Sequence, residues 1–340
     1  MKYFIIILLS LFQLNATMCS GGDSSSADRN NLLAVLGLAR ASSPAPVTVT
    51  FQPRFNGQPL NCGGTYTLPS GVSFQLRDAR MYVSNPVLVR ADGSTTPITV
   101  TTNDYQYSGP KGNLVLLDFE NLTNVCTVGT STTNFTISGT ALAGSYVGIR
   151  FTVGVPIPLN HSDQTSGNNA SVPRVVQNGV HPGLAWSWLT GRKFARIEIA
   201  SSSSNLVYHL GSTGCSGDIS QTPGTAPGVV CTNSWRPSVS ITRQSGFDPS
   251  SNQIVFNMDG LFQQTAAGDS ISASVFNSSV SLSCMPANTS GTGSASACAT
   301  LSRNFGLIPA QNAGSASAVE TGIGVMATPS TVNSNLFVIQ

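Results

Sequence analysis

The sequence predicts a mostly β protein: an antiparallel β-sandwich or barrel-like core with long loops, stapled by disulfides. Three observations carry this. Short β-branched and aromatic runs alternate with Gly, Asn, Ser and Pro clusters from residue 47 onward. No stretch longer than about ten residues keeps a helical 3.6-residue apolar period. Beyond Cys19, at the end of the N-terminal leader, the cysteines form an even set of six.

The leader comes first. Lys2 gives one positive charge, and an apolar run from Tyr3 to Leu14 follows, broken by Ser10 and Gln13. That is too short for a membrane span and reads as a signal peptide over residues 1–18. Cys19, followed by Ser20, Gly21 and Gly22, resembles the lipidated first residue of a bacterial lipoprotein, although Met18 stands where a small residue is usual. The rival reading is an ordinary cleaved signal with an incidental cysteine. Residues 19–46 then read as a tether: small polar residues, a helical turn or two over 31–40, and a loop over 41–46. The chain is thus expected to be exported to the periplasm or outer membrane and lipid-anchored.

Strands are expected over residues 47–55, 72–77, 80–90, 113–119, 134–138, 146–155, 194–199, 205–210, 238–243, 253–257 and 271–276, with a turn at Ala91-Asp92-Gly93-Ser94. They make one domain over 47–310. The Ser/Gly/Ala-rich stretch from 311 to 340 reads as a C-terminal tail. An even cysteine count in an exported chain means a disulfide framework. Closeness along the chain pairs Cys215 with Cys231 and Cys284 with Cys298, which leaves Cys62 with Cys126. Each short bridge stabilises by about 3 kcal/mol through the unfolded state. A zinc site is disfavoured because no Cys-x-x-Cys pair occurs.

Only 9% of the residues are charged and the net charge is +2. Nucleic-acid binding needs a clustered basic stripe, so that class is excluded. No Gly-x-Ser-x-Gly elbow, phosphate loop, dinucleotide fingerprint or His-Glu-x-x-His helix is present, and the chain is not expected to be an enzyme. Asp118 and Glu120 alternate at a strand end and read as solvated or structural.

Residues 154–194 break the β pattern. This long loop holds two of the three histidines and two of the three tryptophans. In order it carries Gly154-Val155-Pro156, Asn160-His161-Ser162-Asp163, Trp186-Ser187-Trp188 and Gly191-Arg192-Lys193-Phe194, and then comes His209-Leu210-Gly211-Ser212-Thr213-Gly214-Cys215. This set resembles the MbnP family of bacterial copper-binding proteins, across roughly residues 47–310. The resemblance implies a partner, MbnH, a dihaem protein of the MauG-like group. It implies that this partner oxidises the first tryptophan, Trp186 here, to kynurenine. It implies a copper site, with Cu(I) the expected state, made of a histidine, a methionine and the modified residue. The chemistry is coherent. Indole N–H offers no lone pair, whereas opening its ring yields an aryl amine and a ketone. Imidazole and thioether suit Cu(I).

His161 is the histidine of the Asn-His-x-Asp element and the expected ligand. His209 reads either as a ligand or as a structural residue near a disulfide. Leu184 stands two before Trp186, where the resemblance leads one to expect methionine. The sulfur ligand is therefore open between Met81, replacement by His181, and absence. Met258 falls in a strand without a motif, and Met285, next to Cys284, reads as packing beside a disulfide. Trp188, Trp235 and His181 read as packing or exposed residues. Two functions follow: an envelope copper protein serving copper uptake or homeostasis, or a surface lipoprotein of binding or adhesive type that keeps the scaffold without the site.

Overall fold

The computed structural model describes residues 43–68, 71–162, 171–187, 189–202, 205–217, 229–262, 282–284, 298, 300–302, 304–305 and 335–340. Cys19, Trp188, Met285 and the expected strand at 271–276 lie outside the described residues. Strands dominate: β1 (Pro44–Phe55), β2 (Gln58–Pro59), β3 (Thr65–Thr67), β4 (Ser73–Val89), β5 (Thr95–Pro97) and β6 (Thr99–Val100). Next come β7 (Gln106–Gly109), β8 (Gly112–Asp118), β9 (Thr136–Leu142), β10 (Tyr146–Val153), β11 (Ala195–Ser201) and β12 (Asn205–Leu210). The last are β13 (Thr213–Gly217), β14 (Val229–Asn233), β15 (Ser238–Phe247), β16 (Gln253–Asn257), β17 (Leu282–Cys284) and β18 (Phe337–Ile339).

Two open sheets face each other, rather than one closed barrel. One runs β18-β16-β1-β9-β6, and the other β15-β10-β4-β11-β12-β17, with β3, β5 and β8 also on β4. The pairings are antiparallel except β1 with β16 and β12 with β17. In β1 the alternate residues Val49, Phe51 and Phe55 are buried, which is the period-2 signature of a strand with one face on a core. Aromatic rings bridge the sheets: Phe51 meets Phe151 at 5.8 Å and Phe55 meets Phe74 at 4.9 Å, both edge-on.

β4 is the spine. The sequence suggests two strands with a break at Asp78-Ala79, but the structure has one strand of 17 residues. Asp78 does not break it because its charge is met in place by Arg80. Asn85 adopts a left-handed φ of 48°, just before Pro86, where the β4–β10 register shifts. A bulge is where a central strand accommodates proline.

The cysteine pairs are those expected: Cys62–Cys126, Cys215–Cys231 and Cys284–Cys298. The C-terminus needs correction. Residues 335–340 are not tail: β18 pairs antiparallel with β16, and Leu336 and Phe337 are buried. The run Leu336-Phe337-Val338-Ile339 supplies the apolar edge that the preceding Ser/Gly/Ala stretch lacks.

Candidate metal centre

Strand register builds the site. Across the sheet Asp118 (β8) lies opposite Arg80 (β4), Arg80 opposite Arg196 (β11), and Arg196 opposite His209 (β12). The adjacent row is Leu117, Met81, Ala195 and Leu210. Side chains alternate between faces, so the first row is polar and the second joins the apolar core. Met81 is fully buried in that core. It stands on the opposite face of the sheet from His209. Met258 is also a core residue.

The polar face is buried beneath loops. Arg80 donates two hydrogen bonds to Asp78 and one each to the carbonyls of Pro182 and Val128. Burial disfavours its charge, but the bonds to Asp78 outweigh this and hold its pKa above the ordinary arginine value. Arg196 bridges Asp78 at 3.0 Å and Glu198 at 2.7 Å. Glu120, fully buried, accepts from the backbone N–H groups of Leu122 and Thr130, fixing the loop that carries Cys126. Asp118 and Glu120 are therefore structural and not solvated. Burial pushes the Asp118 carboxyl up to about 8.

At the end of this row His209 meets Glu198, Nε2 to Oε1, at 2.8 Å. Burial alone would raise the Glu198 pKa, but the hydrogen bonds from His209 and Arg196 outweigh it and bring it down to about 2. Burial also lowers the His209 pKa, against the pull of Glu198. The neutral imidazole thus donates Nε2–H to the carboxylate, which leaves the lone pair on Nδ1. That Nδ1 is buried and has no hydrogen-bond partner.

Trp186 stands beside it, with ring centroids 6.3 Å apart. Its Nε1 is also buried without a partner, and the Lys193 ammonium lies 5.9 Å from its ring centre. The indole rests on Gly211. A Cβ at Gly211 would fall 2.3 Å from Trp186 Cζ3 and 2.8 Å from the Arg192 carbonyl. The Trp-x-Trp and His-Leu-Gly-Ser elements are thus one packing unit.

Trp186 sits in a tight turn closed by Trp186 N–H to Gly191 O and Lys193 N–H to Leu184 O. Arg192 is buried and donates to the carbonyls of Val176, Leu159, Asn160 and Ser162. Its own N–H donates to Asn160 Oδ1. The helical turn Ile157–Asn160 and the next residue, His161, are thereby clamped to the Trp186 turn. His161 is 1% exposed. Its Nε2 lies 3.0 Å from Asn160 Nδ2 and 3.3 Å from Cys231 Sγ of the Cys215–Cys231 bridge.

The structure thus brings Trp186 to His209, and His161 to a disulfide, while Met81 stands apart. Leu184 is buried in the core. His181 is buried against Tyr105, with Nε2 2.7 Å from the Asp104 carbonyl, and burial brings its pKa down to about 4. Trp235 donates from Nε1 to Thr213 Oγ1 and packs against the core. Sequence reasoning missed Glu198, for which alternate Arg196 and Glu198 in an otherwise apolar strand were the available signal. Arg192 was noted within the Gly191-Arg192-Lys193-Phe194 element, but nothing local marked its role as a clamp.

Residues 44–285 match the MbnP family. A solved structure, MbnP from Methylosinus trichosporium, is similar at 26% identity and a TM-score of 0.61, over 87% of this chain and 98% of that one. No curated protein matches.

Proposed function

The chain belongs to the MbnP family, and from that premise we propose that it binds copper in the cell envelope, at a site completed by oxidation of Trp186. The observation that carries this reading is His209. Its Nδ1 lone pair is buried and unpartnered, its Nε2–H is held by Glu198, and Trp186 lies alongside. A histidine that gives one ring N–H to a carboxylate and keeps the other nitrogen open is arranged as a metal-ligating histidine is.

The donor set fits a soft monovalent cation in part. His209 Nδ1 supplies an imidazole. The aryl amine or ketone of kynurenine at 186 supplies a second donor that intact indole lacks. His161 stands on the adjoining loop. No thioether reaches this place among the described residues, because Met81 and Met258 are core residues. A dihaem partner of the MauG-like class would supply the oxidising equivalents and would need an approach to the half-buried Trp186 ring. The chain itself contributes binding and no catalysis.

The test is co-production with and without such a partner. Kynurenine at residue 186, with copper uptake near one equivalent, is expected only with it. Trp186→Phe abolishes uptake and His209→Ala weakens it sharply. Equal copper affinity in unmodified and co-produced protein overturns the mechanism and favours the second reading, a surface lipoprotein without the site. Leu184, buried in place of methionine, is the observation on that side. Lipidation at Cys19 belongs to either reading. Cys19→Ser is expected to move the protein from the detergent to the aqueous phase on partitioning, and unchanged partitioning removes Cys19 as the anchor.

A further inference from the structure

Cys215 and Cys231 face each other across the β13–β14 ladder, and His161 covers them from the loop. One ligand atom from each of the three lies within 4.8 Å of the others. His161 Nε2 is 3.3 Å from Cys231 Sγ. Its protonation follows from its neighbour. Asn160 Oδ1 accepts the Arg192 N–H, so the Asn160 end that faces His161 is the amide nitrogen, a donor. Nε2 therefore carries a lone pair, directed at an amide N–H and beside a sulfur.

We infer that Cys215, Cys231 and His161 form a redox-gated site for a soft cation such as Cu(I), closed while the disulfide is intact and opened when a dithiol reductant cleaves it. The chemistry balances. One thiolate of the reductant attacks Cys215 Sγ, forming a mixed disulfide and expelling Cys231 as thiolate. The second thiol of the reductant then displaces Cys215, and the reductant leaves as its own disulfide. Two electrons have passed to the protein, and two protons are taken up by the thiols or released when they bind the cation.

Access sets the order of attack. Cys215 is partly exposed while Cys231 is fully buried against His161, so the reductant meets Cys215 first. The scaffold keeps the reduced pair together. The two cysteines are direct cross-strand partners, with Thr213↔Asn233 and Ser216↔Val230 paired around them. Trp235 Nε1 and Ser212 Oγ tie this ribbon through Thr213 and Ser234.

The spacing suits a metal. With bonds of about 2.3 Å to sulfur and about 2.0 Å to imidazole, tetrahedral donors sit about 3.5 Å apart. The present S···N separation of 3.3 Å is near that value. Two thiolates and one imidazole are a soft donor set of the kind that selects Cu(I). This set supplies the sulfur that Leu184 and Met81 do not. The Asn160 amide must give up its bond to Nε2 when the cation enters.

The site shares His161 with the copper reading above but does not require modified Trp186. It is therefore tested on full-length protein made without a dihaem partner. The protein is reduced with a dithiol, freed of reductant without air, and titrated with Cu(I) as its acetonitrile complex against a Cu(I) chelator. Thiols left unprotected are then alkylated and mapped by peptide mass. Cu(I) is expected to protect Cys215 and Cys231, and to leave Cys62, Cys126, Cys284 and Cys298 open to alkylation. Cu(I) uptake at this pair should vanish once the disulfide is re-formed. His161→Ala should weaken uptake at least about tenfold, the lower end of what an outer-sphere change costs. Equal alkylation of all six cysteines, protection at the other pairs instead, or uptake that is the same before and after reduction overturns the inference. The wild-type protection pattern needs no substitution, so a variant that misfolds does not obscure it.

Discussion

Gly211 shows how one residue ties sequence motif to site geometry. Its backbone is not in the left-handed region; it is glycine because Trp186 lies against its Cα. Gly211→Ala forces the indole or the Arg192 carbonyl to move, an overpacking cost of about 1–3 kcal/mol. A lower thermal midpoint is expected, together with altered Trp186 packing and poorer copper uptake by co-produced protein. Unchanged stability would show that the turn yields more easily than this contact implies. Glu198 is the second informative residue. Without its carboxylate nothing selects the His209 tautomer with the lone pair on Nδ1, so its role is to orient a ligand rather than to bind the ion.

At the scale of elements, the decisive object is the Trp186 turn together with the loop that Arg192 draws onto it. The guanidinium satisfies four carbonyls in a place closed to solvent. Arg192→Leu removes this donor from all four; the Leu159 carbonyl keeps its bonds from Ser162, and each buried group left unpaired among the rest costs about 1–3 kcal/mol. Destabilisation of about 3 kcal/mol or more is expected in urea titration, with faster hydrogen exchange in residues 157–162 than in the strands. A loss confined to global stability, with no local change in exchange, would mean that Arg192 does not hold the His161 loop. β4 and β18 show why elements were partly misread. A charged pair in a strand looks like a break until its partner is seen, and a short apolar run after a long polar stretch looks like tail until an edge strand receives it.

The whole molecule carries opposed titrations. His181 has its pKa brought down to about 4 from 6.5, so stability present above 6.5 is lost as pH falls toward 4. Glu198, at about 2 against 4.5, adds a loss as pH falls from 4.5 toward 2. Asp118 runs the other way. Its folded value of about 8 exceeds 3.8, so stability present below 3.8 is lost as pH rises toward 8. His181 and Asp118 oppose each other between about 4 and 6.5, which leaves a flat region. A decline follows from 6.5 to 8, where Asp118 acts without His181. Lys193, lowered to about 8 by burial, contributes above that range. Asp118→Asn should shrink the decline between pH 6.5 and 8 in urea midpoints, to which Asp78, also raised by burial, contributes with the same sign. A variant that keeps it in full would place the titration elsewhere.

The β class, most long strands, the three cysteine pairs and the motif order that resembles the family are legible in the residues alone. These are legible because their causes are local: period-2 burial, turn chemistry, and cysteines close along the chain. Which candidate residues meet depends on how the strands and loops pack. Arg80, Arg196 and His209 share a row because three strands pair in one register, and the same register sends Met81 to the other face of the sheet. His161 meets Cys231, 70 residues away, because Arg192 clamps a loop over a ribbon. Alternation within a strand is written in its own residues. Register between strands is a property of the whole packed chain, since a one-residue slip exchanges the two faces.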